Sequence, residues 1–351
     1  MSSSLVRALS ASVLIPCALV ACAINASMPR AGTTNASASG LASPDHTVHF
    51  IELGGSVPPY SCCQIAVDPV LNRVYVGAGA DVFGDNTVVV NPSSSRIVHK
   101  VPGFGGADNV DPDTHNVWLP GLDAGNVAVY SGLKHSIITK VQLSDYACPV
   151  SSWLDGRRRY AWIPAECGHP TGDPVWVVDA DSPYNIVAGP IITPGGMSTN
   201  VVNPVTGKFY MLKDLGGGKS GNYEIDPRTF KASSTSFGVA IGANTRADLL
   251  YAYIPYGLNI IDGRTEKIIK TVKNLPYTEG IIAVNPSLDH FYLAAGKDFI
   301  EVREGQTGKL LKTITLPSSY SVLSLGADDE RARIYAVVDE GGPLYLRWWK
   351  D

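Results

Sequence analysis

Seven times along this chain, at a nearly regular interval, an Asp or Asn is followed seven residues later by a Tyr or Trp. The pairs are Asp68/Tyr75, Asp111/Trp118, Asp155/Trp162, Asn203/Tyr210, Asn244/Tyr251, Asn285/Tyr292 and Asp328/Tyr335, and their starts lie 43, 44, 48, 41, 41 and 43 residues apart. A unit repeated at that period cannot bury its apolar side alone and must stack on copies of itself. In the first unit, residues 64–67, 73–76, 87–90 and 97–101 read as short strands. Asp68-Pro69, a glycine-rich stretch and the turn at 91–95 separate them, so four strands make one repeat. Fourth strands recur at 137–141, 267–272 and 309–314, each alternating polar and apolar residues. The fourth unit is the weakest, with polar residues at 233–236 where an apolar strand is expected.

The ends of the array indicate how it closes. After Tyr335 only one further strand fits, at 344–348, while a strand of the right character at 47–53 stands alone before the first repeat. Pairing the two makes a ring and removes the exposed edges of a linear array. The expected fold is all-β: a seven-bladed β-propeller of four-stranded antiparallel blades over residues 46–351, closed by its N-terminal strand in the last blade.

Residues 1–23 read as a signal peptide, with Arg7 before an apolar segment at 8–21 that is too short to span a bilayer. The run Leu19-Val20-Ala21-Cys22 resembles a bacterial lipoprotein box, which implies lipidation of Cys22. Ordinary cleavage after Ala23 or Ala26 is the alternative. Residues 24–45 are rich in Ser, Ala, Gly, Thr and Asn and read as a flexible tether. Export to a periplasm or cell envelope, lipid-anchored or secreted, follows. It places Cys62, Cys63, Cys148 and Cys167 in an oxidising compartment. Cys148 and Cys167 fall on one face of the third blade and are expected to bridge, which leaves Cys62 and Cys63 as a strained vicinal disulfide or two thiols.

Several function classes find no support. A net charge of −4 without a basic stripe argues against nucleic acid. The only basic run, Arg157-Arg158-Arg159, falls in a first-to-second-strand turn and is expected to be solvated. The segment 214–220 imitates a phosphate-binding loop but has Lys213 where the motif needs glycine, so it reads as a long loop of blade four. No metalloprotease, calcium-loop or nucleophile-elbow spacing occurs. The Asx/aromatic ladder is structural, an Asx turn followed by a ring packed on the next blade. His99 and His135 are expected in fourth strands, and His115 and His290 in solvated turns.

The stretch Asp68 to Val101, DPVLNRVYV followed by DNTVVVNPSSSRIVHKV, resembles the YVTN-type propeller repeat. Residues 285–293 (NPSLDHFYL) and 258–272 (LNIIDGRTEKIIKTV) resemble it again. The resemblance covers roughly 300 residues. It implies a secreted or periplasmic propeller, in some relatives similar to lactonase-type enzymes.

In a propeller the blade-to-blade connections and the second-to-third-strand loops share one face. On that face the sequence places Tyr60, Tyr146, Met197, Tyr277 and Tyr320 as candidate ligand contacts, with Tyr60, Tyr277 and Tyr320 forming a wall across three consecutive blades. The long loops at 77–86, 164–174 and 213–222 supply the enclosure. The leading expectation is a monomer that binds a small molecule, peptide or protein at this mouth without catalysis or cofactor. A lactonase-like hydrolase or lyase is the alternative. Its candidate catalytic residues are Glu166, His169, Asp108 and Glu279, with a divalent metal under that reading. A surface-layer or adhesion module is the third expectation.

Overall fold

The computed structural model describes residues 49–54, 63–77, 86–106, 109–121, 125–166, 172–193, 196–216, 219–275, 281–294 and 298–351, with the backbone alone at 196–199, 213–216 and 219–221. The signal, Cys22 and the tether lie outside the described residues.

Seven antiparallel blades follow one another around a ring. Blade one is Gln64–Asp68, Arg73–Gly77, Asn86–Asn91 and Arg96–Pro102, hydrogen-bonded in sequence order. Blades three to six repeat that order from inner strands Trp153–Asp155, Gly196–Val202, Val239–Asn244 and Ile282–Asn285. In blade two the inner segment is reduced to a single bridge, Val110 opposite Val117, beside Asn116–Gly121. The outer strand of blade four, Ala232–Ser234, is three exposed residues, as its polar sequence leads one to expect.

Ring closure is as the sequence reading requires. His49–Gly54 pairs antiparallel with Leu344–Lys350, in the register His49↔Trp348, Ile51↔Leu346 and Glu52↔Tyr345. Ile51 and Leu53 turn inward to Ile65, Val74 and Val76 of blade one, so the first strand joins the last blade to the first. Here the blades approach closely: a Cβ on Gly326 would lie 2.6 Å from Ile65 Cγ2.

Hydrophobic burial is distributed between blades. Among the described residues a cluster of buried side chains fills each blade-to-blade interface. The seven ladder aromatics are the principal fillers, all at most 1 % exposed. Trp162 stacks on Phe209 of the next blade at 5.3 Å, and Tyr251 lies 4.8 Å from Phe291. The phenol of Tyr210 donates to Glu266 Oε1 of blade five at 2.7 Å, and that of Tyr292 to Asp351 Oδ2 at 2.5 Å.

Each ladder Asx is buried and its Oδ1 accepts main-chain N–H groups from two or three residues ahead, as for Leu71 on Asp68 and Val205 and Thr206 on Asn203. In the three Asn members the side-chain amide reaches the neighbouring blade. Asn203 Nδ2 donates to Gly263 O at 3.0 Å, Asn244 Nδ2 to Asp289 Oδ1 at 2.9 Å and Asn285 Nδ2 to Asp328 O at 3.5 Å. Arg331 of blade seven donates to Pro69 O of blade one, which carries the belt across the closure.

This belt corrects three expectations. His115 is no solvated turn residue: its Nδ1 meets the buried Asp68 carboxylate at 3.0 Å. His290 opens a strand and contacts Asp351 Oδ2 at 2.8 Å, while His135 sits in a turn at φ 53° with its ring against Tyr130 Oη at 3.3 Å. The arginine triplet is largely consumed by structure, since Arg158 holds Asp155 at 3.0 Å and Arg159 holds Asp111 and Asp181. A buried carboxylate needs hydrogen-bonding partners, which come from its own turn for Asp155 and from the turn one repeat along for Asp68 and Asp111. A fourth correction concerns residues 213–222. The ladder of blade four continues to Gly216↔Lys219, so the long loop is a hairpin, because pairing satisfies backbone groups that a loop would leave to solvent.

Candidate functional site

Every innermost strand ends its sheet and bonds to a neighbour on one side only. The free edges converge on the ring axis and enclose a channel cavity of about 540 Å³ lined by residues of all seven blades. Unpaired strand edges bring backbone donors and acceptors to such a wall.

The two sides of the channel differ. Blades one to four contribute Gln64, Asn109, Ser151, Trp153 and Asn200 beside the aliphatic Ile65, Val67 and Val110, whereas blades five to seven contribute mainly aliphatic residues, with Ser324 among them. No charged side chain stands among the described lining residues. The amides are held in place: Gln64 Nε2 donates to Val150 O at 2.9 Å, Asn109 Nδ2 to Ser152 O at 2.9 Å and Asn200 Nδ2 to Ser151 Oγ at 3.3 Å. Asn200 is 9 % exposed, and its Oδ1, like the Trp153 indole N–H, is buried without a hydrogen-bond partner among the described residues. A buried polar atom left unmatched costs about 1–3 kcal/mol, which a bound water or ligand relieves.

A second cavity of about 410 Å³ opens at the other end of the axis. Its walls are the first-to-second-strand turns of blades one to five, with Pro69, Val70, Pro112, Leu154 and Pro204 around Arg157. Val67, Asn109 and Val110 line both spaces, so they form the collar between them. The turns at this end are short, yet the recurrent Asx-Pro pairs enclose the space because their proline residues line it from several blades at once.

Of the candidate ligand residues, Tyr60 and Tyr277 lie outside the described residues, as does the side chain of Met197. Tyr146 is 78 % exposed on the blade two to blade three connection. Tyr320 is not in the channel wall. Its ring lies 5.0 Å from the Arg347 guanidinium, which donates to its hydroxyl at 3.3 Å, and Arg347 also pairs with Glu340. A hydrogen bond with Glu340 holds the Tyr320 hydroxyl above the usual phenol range. Among the catalytic candidates, Asp108, His169 and Glu279 lie outside the described residues, and Glu166 is exposed with its main-chain N–H on Cys148 O at 3.0 Å. Among the described residues no three His, Cys, Asp or Glu side chains are placed to share a metal ion. The channel amides were missed because Gln64, Asn109 and Asn200 stand alone in the sequence. One signal was available for Asn200, which stands three residues before its ladder Asx, where Ile65, Ile241, Ile282 and Leu325 stand in other repeats.

No protein-family model matches the sequence, and no curated protein matches it. Solved structures match at the level of fold. A chain of Kuenenia stuttgartiensis hydrazine synthase aligns with a TM-score of 0.59 and 11 % identity over 81 % of this chain and 94 % of that one. A chain of a mitotic checkpoint complex aligns with a TM-score of 0.66 and 10 % identity over 93 % and 99 %. At such identities the likeness concerns the propeller architecture alone.

Proposed function

We propose that this chain is an exported propeller that binds a small uncharged molecule in its central channel, without catalysis, and that a lipid on Cys22 holds it at a membrane. The observation that carries the binding reading is the channel wall. Fixed amides stand opposite a mainly aliphatic side, with no charge among the described lining residues. A ligand with hydroxyl or amide groups on one side and an apolar surface on the other meets both. An ion would lose its hydration without a counter-charge.

The YVTN-type relationship and the export route belong to this reading on the strength of the sequence. So does a Cys148–Cys167 bridge. Its support is that Pro149 pairs with Ala165 and that Cys148 O accepts from the Glu166 N–H, which brings the two segments side by side. A peptide or protein partner at the loop face is the second reading, favoured by the exposed Tyr146 ring.

The test is a titration with neutral sugars and amides and with their charged counterparts, followed by methyl resonances of Ile241, Ile281 and Leu323. Shifts caused by neutral members and lost in Asn109→Leu support the reading. Shifts produced only by charged members overturn it.

A further inference from the structure

We propose that the cavity at the Asx-Pro mouth is a separate binding site for an apolar carboxylate, with Arg157 as its anchor. The three consecutive arginines have unequal fates. Arg158 and Arg159 are spent on buried aspartates, and their side chains are 26 % and 21 % exposed. Arg157 is 55 % exposed, and its ion pair with Asp248 is a loose one at 3.4 Å. Asp248 already has a tighter partner in Arg264, at 2.5 Å. Arg157 therefore keeps a guanidinium fork available on the cavity wall, and that fork matches a carboxylate in two parallel hydrogen bonds.

The rest of the wall fits an apolar body. Pro69, Val70, Pro112, Leu154 and Pro204 surround a space of about 410 Å³, within the range of small-molecule sites. Val70 is 53 % exposed at the rim, an apolar group that a ligand would cover. Two carboxylates line the same space, Asp68 and Asp155, and each is turned to partners of its own. Asp68 is engaged by Leu71 N–H and His115, and Asp155 by the N–H groups of Arg157 and Arg158 and by the Arg158 guanidinium. A neutral ligand would leave Arg157 unused, and a cation would meet it head-on. A free hydrophobic acid and the C-terminal residue of a peptide share the required chemistry.

The full chain is titrated with octanoate, with uncharged octanamide, and with the tripeptide Gly-Gly-Leu carrying a free or an amidated terminus. Calorimetry gives the affinity, and valine methyl resonances give the location. The proposal expects octanoate or the free-carboxylate peptide to shift Val67, Val70, Val110 and Val202, with the neutral counterpart at least about tenfold weaker. The tighter of the two carboxylates identifies the source. Arg157→Gln should weaken the carboxylate about tenfold and leave octanamide unchanged. Val70→Asp, at an exposed position, should act in the same direction without touching the arginine. The proposal is overturned if neither carboxylate binds or if acid and amide bind alike. It is equally overturned if Arg157→Gln and Val70→Asp leave the affinity unaltered, or if the shifts fall on Ile241 and Ile281 in the channel.

Discussion

Arg159 of blade three places two guanidinium nitrogens on the Asp111 carboxylate of blade two, at 3.0 and 2.5 Å. Asp111 is fully buried, and Arg159 bonds Asp181 as well. The pair repeats, in ionic form, the contact that Asn244 makes to Asp289 three interfaces further on. A turn that caps one blade is thus also a staple to the next.

Removing the cation strands a buried anion. Arg159→Ala should destabilise the propeller by about 3 kcal/mol, the lower end for a broken buried pair because the arginine is partly exposed. Adding Asp111→Asn should restore part of the loss, since the amide keeps the Asx turn without the charge. Urea melts of the two single variants and the double variant measure this. A single variant as stable as the parent would show that the staple contributes nothing.

The acid limb of stability should report the same group. Burial pushes the Asp111 carboxyl up, but hydrogen bonds from Arg159 and Thr114 outweigh it and hold it below the usual range. Asp351 is likewise held low, burial being outweighed by Tyr292 and His290. With folded values below an unfolded value of about 3.9, their stabilisation is complete above that pH and is lost as pH falls through the folded values. Thermal melts between about pH 2 and pH 6 should steepen toward acid, and Asp111→Asn should flatten that slope. An unchanged slope would assign acid sensitivity elsewhere.

Deleting residues 46–53 should abolish cooperative unfolding, because it exposes the edge of Leu344–Lys350 and opens the blade seven to blade one interface. Leu53→Ala, which keeps the strand, should cost about 2–4 kcal/mol as a cavity. Calorimetry separates the two cases. A deletion variant with the parent's single sharp transition would refute closure by this strand.

Replacing Cys22 with Ser should release the protein from membranes or block its maturation, because stable anchoring requires more than one acyl chain. Fractionation of cells making either form decides it. A mutant that remains with the membranes and matures normally would overturn the lipid anchor.

Much of the architecture was legible because period and alternation are local properties. The Asx residues announce turns, the aromatics seven residues on announce buried strands, and the unpaired segments at the two ends announce each other. That these two end strands pair follows from their apolar faces, whereas the register His49↔Trp348, among those that keep the same faces inward, was set by the ring. What the chain did with its polar residues was decided by the ring. His115 and Arg159 are unremarkable turn residues in sequence, yet lateral docking sets each against an aspartate one repeat away. Gln64, Asn109 and Asn200 share no motif, and only convergence around an axis makes them one wall. The mouth around Arg157 is a further product of that convergence, because its walls come from turns of five blades whose spacing depends on how tightly the blades pack. Strand patterns report which way each side chain points within a blade. The cavities depend on the angle and distance between blades, and packing between large buried rings such as Trp162 and Phe209 sets those.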